Sequence, residues 1–229
     1  MAANTALKEQ PMAATDAVAA SFIHALETAK RSDVPWRHWL MSSVLPADIA
    51  REVVSLPINP AKILDTKGRR ETNNASRVHF AGARIAEFPV VRAICEAFQS
   101  DPVTSSIERI CGISLGGTNL RIEFCQDTEG FWLEPHTDIG VKKYTMLIYL
   151  SEGPGCDTWG TDVMSDANTY VGRAPSPYNS GLIFIPAGNT WHAFQPRPIV
   201  GVRRALMINF VGPEFRNRFE LAYPDQPIS

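Results

Sequence analysis

The four cysteines of this chain, Cys95, Cys111, Cys125 and Cys156, stand far apart with no C-x-x-C spacing, so neither a zinc knuckle nor a dithiol redox motif is written here. Reduced, non-nucleophilic thiols are the expectation. Long apolar runs are also missing. The longest, such as MLIYL and GLIFIP, fall far short of the ~20 residues that cross a bilayer as a helix. The N-terminus shows no charged stretch followed by an apolar core, so the expectation is a cytoplasmic protein with no membrane partner. Charge of one sign is scarce as well: 22 Lys and Arg against 24 Asp and Glu leave −2, without any block of like charge. That excludes the electrostatic footprint of a nucleic-acid binder. No segment repeats. What remains is 45% hydrophobic and 20% charged content over 229 residues, which suits one globular domain, 1–229, with a sizeable core.

Residues 1–14 are polar and Ala-rich with a proline, and are expected to be poorly ordered. Thr15 or Asp16 then caps a helix through AVAASFIHALETAKR, whose Val18, Phe22, Ala25 and Leu26 share a face while His24 falls off it. WRHWLMSSVL reads as a first strand, and Pro46 opens a short helix in ADIAREVVSL. The polar stretch 67–77, with Gly68 and two asparagines, reads as a solvated surface loop, a lid being the sharper alternative. Helices in VVRAICEAFQ and VTSSIERICG follow, the second stopped by Gly112. Residues 15–115 therefore read as a helical support. From Asn119 onward the period changes to two: LRIEFC, FWLEPHTD, YTMLIYL, GTDVM, GLIFIP and RRALMINFV are short runs separated by Gly, Pro, Asn and Asp. The fold class is mainly β with N-terminal helices, and the β part, 118–212, is a barrel or jelly roll.

Within FWLEPHTDIGVKKY, His136 and Asp138 are two apart and meet on one side of an extended backbone, with Thr137 pointing away. His192, a short turn after GLIFIP, is the natural third ligand, and two histidines with one carboxylate form the facial set of non-haem iron. The tripeptide alone carries little, because H-x-D recurs by chance and a lone histidine beside an aromatic is commonly structural. His38 and His79 lie in no ligand-like spacing and read as structural.

The order H-T-D, TMLIYLS, WGTDVM, GLIFIPAGNTWH and VRRALMINF resembles the core of the iron(II)- and 2-oxoglutarate-dependent dioxygenases, of the prolyl 4-hydroxylase type, over residues 120–211. The resemblance implies a double-stranded β-helix and the metal ligands His136, Asp138 and His192. It implies Fe(II) as cofactor, with 2-oxoglutarate and O2 as cosubstrates. Arg203, in Arg203-Arg204-Ala205, matches the family position that anchors the distal carboxylate of 2-oxoglutarate, with Arg204 outside; a planar guanidinium suits that task. Tyr149 falls where such relatives carry a tyrosine on the same carboxylate, and Thr145 shares its face. A core tyrosine bonded locally, and a surface salt bridge at Arg203, are the plain alternatives. Phe124 stands near where relatives carry a tyrosine, so no cosubstrate contact is assigned on its strand. Arg121 and Glu123 alternate there onto one face as substrate candidates, an exposed sheet face being the alternative. Trp132, Trp159 and the loop 172–179 are further pocket candidates, and Arg69, Arg70 and Arg77 hint at an acidic substrate group. The implied reaction hydroxylates an unactivated C–H bond with release of succinate and CO2. Asp138 favours hydroxylation, since halogenases of the family lack this carboxylate. The substrate expected is a small, amino-acid-like molecule. A residue within a protein, a jelly-roll metalloenzyme without 2-oxoglutarate and a non-catalytic binding module stay open.

Overall fold

The computed structural model describes residues 2–64, 66–69 and 76–229, with side chains of the first helix from residue 12 onward. Its strands form two antiparallel sheets that face each other. The larger has the order β1 (Lys30–Ser32), β2 (His38–Met41), β9 (Ser180–Phe184), β6 (Lys142–Tyr149), β11 (Arg203–Val211), β4 (Asn119–Asp127), β3 (Arg77–His79). The smaller runs β5 (Leu133–His136), β10 (His192–Phe194), β7 (Asp162–Met164), β8 (Tyr170–Arg173). This is a double-stranded β-helix with helices on one outer face.

The strand period of two assigns the faces. Register pairs Ile208 with Ile122 and Met146, and Met146 with Ile183, so these side chains share the outer face of the large sheet. There they pack with Phe22 of α1 (Ala2–Glu27), Ile94 and Phe98 of α4 (Pro89–Gln99) and Ile107 of α5 (Asp101–Cys111) in one buried cluster. Phe22 and Phe98 meet with ring centroids 4.8 Å apart. Burying each such side chain contributes roughly 1.5 to 3 kcal/mol before the entropy of ordering it is counted. The inner face holds the alternate residues. Leu147, Tyr149, Leu182 and Phe184 meet Val163 of the small sheet and Ala174, which follows β8, around Trp36, whose indole N–H bonds the Met164 carbonyl at 2.9 Å. That second core ties the two sheets together at one end and leaves the other end to form a cavity.

Several expectations change. The first helix starts at Ala2, not at Thr15 or Asp16, because the leading segment is rich in strong helix formers such as Ala, Leu, Lys, Glu and Gln. The Thr15 hydroxyl instead bonds Glu96 at 2.9 Å. The 15–115 region is not only helical: β1, β2 and β3 come from it and extend the large sheet at both edges. Pro46 does open α2 (Ala47–Val54), and Gly112, at φ 65° and ψ 46°, ends α5 in the left-handed conformation that lacks a Cβ penalty. Residues 70–75, which make up most of the expected loop or lid and include Arg70, lie outside the described residues. Arg77 is not in a solvated loop; it begins β3 and is buried there.

Candidate active site

β5 and β10 pair so that His136 lies directly opposite His192, their ring centroids 4.3 Å apart. Each imidazole donates Nδ1–H to a backbone carbonyl two residues before it, Glu134 at 2.7 Å and Thr190 at 3.0 Å. That assignment leaves each Nε2 unprotonated and available to a metal. β5 ends at His136, and the irregular segment after it brings Asp138 round, so that one donor atom from each of the three residues lies within 4.8 Å of the others. His192 opens a strand of its own in the small sheet, after the turn that follows GLIFIP.

Asp138 is the most constrained member. Its Oδ1 accepts from the Lys142 ammonium at 2.6 Å and its Oδ2 from the Thr145 hydroxyl at 2.8 Å. Burial alone would raise its pKa, but Lys142, the adjacent His192 and these bonds hold it well below the usual carboxylate range. Burial lowers His192 from 6.5 to about 4, outweighing the opposite pull of Asp138. At neutral pH His192 is thus a neutral imidazole and Asp138 a carboxylate. This donor set suits non-haem Fe(II).

The triad lines a narrow inner cavity of about 60 Å³ together with Thr145, Lys142, Arg77, Arg203, Cys125 and Thr161, and with Phe131, Leu133, Leu147, Phe194 and Met207 as apolar walls. Leu133, His136, Asp138 and Lys142 also border an outer recess of about 440 Å³, whose other walls include Gly68, Arg69, Glu134 and Thr137. Arg203 faces the cavity from β11 while Arg204 is on the opposite side of the strand, its backbone N–H bonded to the Ser151 hydroxyl at 2.8 Å. The Arg203 guanidinium donates to Asp127 at 2.5 Å and to the Trp159 carbonyl at 2.8 Å, and lies 4.4 Å over the Phe194 ring. Thr145 is both cavity wall and Asp138 support. Tyr149 is fully engaged: its hydroxyl donates to Thr161 Oγ1 at 2.8 Å and accepts from the Thr161 backbone N–H at 3.2 Å, and it is Thr161 that reaches the cavity.

The substrate candidates fare differently. Arg121 and Glu123 form an ion pair with each other, and Arg121 also holds Glu220 at 2.5 Å, so both are committed to a buried charge cluster off the cavity wall. Trp132 packs on Gly68, where any side chain would meet its ring, and borders neither the cavity nor the recess. Trp159 is a core residue whose indole N–H bonds the Pro198 carbonyl, and the 172–179 loop touches neither space. Lys142, to which the sequence reading gives no role, lines the cavity, and so does Arg77, one of the three arginines that hint at an acidic group. The signal for Arg77 was the alternation in Arg77-Val78-His79, which continues the polar stretch as a strand. For Lys142 it was a lysine four residues after a ligand, at the head of a strand whose next same-face residues are apolar.

Fold and site together define a class: a double-stranded β-helix with two histidines and one carboxylate grouped so that they could hold a metal ion. No protein-family model matches the sequence, and no curated protein does. Solved structures match in fold. A Pseudomonas putida prolyl-4-hydroxylase superposes with a TM-score of 0.52 at 18% identity, covering 85% of this chain and 94% of its own. A prolyl hydroxylase from Trichoplax adhaerens, solved with a hypoxia inducible factor oxygen degradation domain peptide, gives 0.55 at 11%, covering 86% and 90%. HygX from Streptomyces hygroscopicus, solved with nickel and 2-oxoglutarate, gives 0.50 at 10%, covering 78% and 83%. At these identities the superpositions show the shared fold alone.

Proposed function

We propose that the protein is an Fe(II)- and 2-oxoglutarate-dependent dioxygenase that hydroxylates an unactivated C–H bond of a small molecule. The observation that carries this is the convergence of His136, Asp138, His192 and Arg203 on one buried cavity. His136 and His192 would hold the metal through Nε2, aimed by the carbonyls of Glu134 and Thr190, and Asp138 would complete the set, kept in place by Thr145. Iron with 2-oxoglutarate would supply the oxidising chemistry, O2 being reduced as the oxo acid is cleaved to succinate and CO2. Arg203 would bind the distal carboxylate, with Thr161, backed by Tyr149, offering a hydroxyl beside it. Phe131, Phe194, Leu147 and Met207 would keep water from the reacting atoms. The outer recess presents Arg69 and Glu134 next to the triad, both charge signs together, which suits an amino-acid-like zwitterion. The Trichoplax neighbour, bound to a peptide, supports the second reading, a residue within a protein. Three buried thiols suit a reducing compartment, and the proposal places the protein in the cytoplasm.

The test is metal titration and 2-oxoglutarate turnover of His136→Ala, Asp138→Ala and His192→Ala, with succinate release and a gain of one oxygen by mass spectrometry scored across candidate substrates. Each variant is expected to lose metal affinity by tenfold or more and turnover almost entirely. Wild-type affinity and turnover in all three would refute the site.

A further inference from the structure

The far end of the cavity holds more positive charge than one arginine accounts for. Arg203 and Arg77 reach the same carboxylate, Asp127, from opposite flanks of β4: Arg203 is its register partner on β11, and Arg77 pairs with Cys125 from β3. Arg203 Nη1 lies 2.5 Å from one Asp127 oxygen and Arg77 Nη1 lies 2.6 Å from the other. The side chains are 7%, 5% and 0% exposed for Arg203, Arg77 and Asp127, and both arginines line the cavity. Arg203 lies over Phe194, and Arg77 lies 5.2 Å over Phe131, so the aromatic walls hold both forks in position.

Two guanidiniums share one carboxylate here, leaving a buried surplus of one positive charge. The next carboxylate along this face, Glu123, is taken by Arg121, and neither residue borders the cavity. Among the described residues, Arg77 Nε–H is buried with no partner. A buried cation with an idle donor is costly unless an anion completes it.

We infer that Arg77 is a second anchor for the distal carboxylate held by Arg203, so that the filled site pairs two guanidiniums with two carboxylates, Asp127 and the ligand's own. This rests on the function proposed above and narrows it. The site would demand a 2-oxo acid with a second carboxylate, and Asp127 would be the post that spaces the two forks.

The experiment measures affinity, not turnover: anaerobic calorimetric titration of the Mn(II)-loaded protein with 2-oxoglutarate and, separately, with pyruvate, which keeps the oxo-acid head and lacks the distal carboxylate. Arg77→Gln is expected to weaken 2-oxoglutarate tenfold or more while pyruvate stays within twofold of wild type. Arg77→Lys, which keeps the charge and stays paired to Asp127, is expected to lose about threefold to tenfold with the same selectivity. It carries the test if the Gln variant does not fold. Unchanged 2-oxoglutarate affinity in either folded variant, or equal losses for both oxo acids, would overturn the second anchor alone. A wild-type protein that binds the metal but no 2-oxoglutarate would overturn the proposed function and this inference with it.

Discussion

Lys142 sets the electrostatics of the triad at the scale of single residues. Its ammonium lies 2.6 Å from Asp138 and the pair is almost wholly buried, so in the metal-free protein lysine partners a carboxylate that a divalent ion would also claim. Lys142→Met should therefore act in opposite directions on two measurements. Breaking a buried pair by removing one partner costs about 3 to 5 kcal/mol, which should appear as a lower urea midpoint without metal. Metal affinity should stay equal or rise by about tenfold, because a competing cation is gone, so added Mn(II) should stabilise the variant more than wild type. If affinity fell along with stability, Lys142 would be a support for Asp138 and not a competitor. His192 adds a pH signature. Its pKa is 6.5 in the ordinary state and about 4 when folded, so between those values the unfolded chain holds the proton and the folded chain does not. Its contribution is complete above 6.5 and declines as pH falls toward 4, by up to roughly 3 kcal/mol. Asp138, depressed in the folded state, contributes above its ordinary 3.8 and loses this only at still lower pH. Urea midpoints of the metal-free protein at pH 7, 5.5 and 4.5 should fall, and His192→Gln should flatten that slope. An unchanged slope in the variant would assign the acid sensitivity elsewhere.

Strand alternation does the placing at the scale of elements. β11 sends Arg203, Ala205 and Met207 to the cavity and Leu206 and Ile208 to the helical layer, as its period of two requires. Arg203→Ala should weaken 2-oxoglutarate binding by about thirtyfold or more, since removing one partner of a desolvated charge pair costs roughly 2 to 5 kcal/mol. Arg204→Ala should change it little. Anaerobic titration of the metal-loaded protein decides, and a larger loss from Arg204→Ala would contradict the observed register. The same alternation explains what could be read from sequence. Long, strongly periodic runs gave β4, β6, β9 and β11 directly, because that signal is local, and H-x-D with a distal histidine pointed to three residues whose donor atoms the fold brings within 4.8 Å of one another. β8 and β10 are only 4 and 3 residues long, too short for a period to show. The pairing of β10 with β5 and β7 depends on chain brought back from far away, whereas β8 pairs with β7 across a short turn. For Arg121 and Glu123, alternation says that a charged residue faces inward, but not whether it meets the cavity or another charge, and here the two meet each other. Burial of Asp127 between two arginines is decided by which strands lie side by side, β11 and β3 on the two flanks of β4.

For the whole molecule, the question is whether the helical layer and the β-helix stand or fall together, as the proposal of one domain over 1–229 requires. The cysteines report on this, because they are distributed between the layers. Cys95 in α4 and Cys111 in α5 belong to the outer core, and Cys125 in β4 faces the cavity. Burial raises all three thiols, Cys111 up to about 12 against the pull of Arg37, Cys125 up to about 11, and Cys95 further still. At pH 8 the reactive thiolate is therefore a small minority at each, on the order of 0.1% where the pKa is 11, even before access is considered. Cys156, half-buried in a short turn, is the accessible one. Labelling of the native protein with a thiol reagent should proceed with one fast site and three slow ones, and all four should react at once in denaturant. The slow sites carry the answer. If the shared core of α1, α4, α5 and the large sheet opens as one cooperative unit, Cys95, Cys111 and Cys125 should become reactive at the same urea concentration, with rates that track global unfolding. If the helices detach first, Cys95 and Cys111 should label at lower urea while Cys125 stays protected. Adding Mn(II) and 2-oxoglutarate sharpens the comparison. Ligand bound in the cavity should shift protection of all three thiols together in a single unit, and of Cys125 alone in a divided one. Peptide mapping of the labelled sites across a urea series distinguishes these outcomes, and early labelling confined to Cys95 and Cys111 would divide the chain into two folding units.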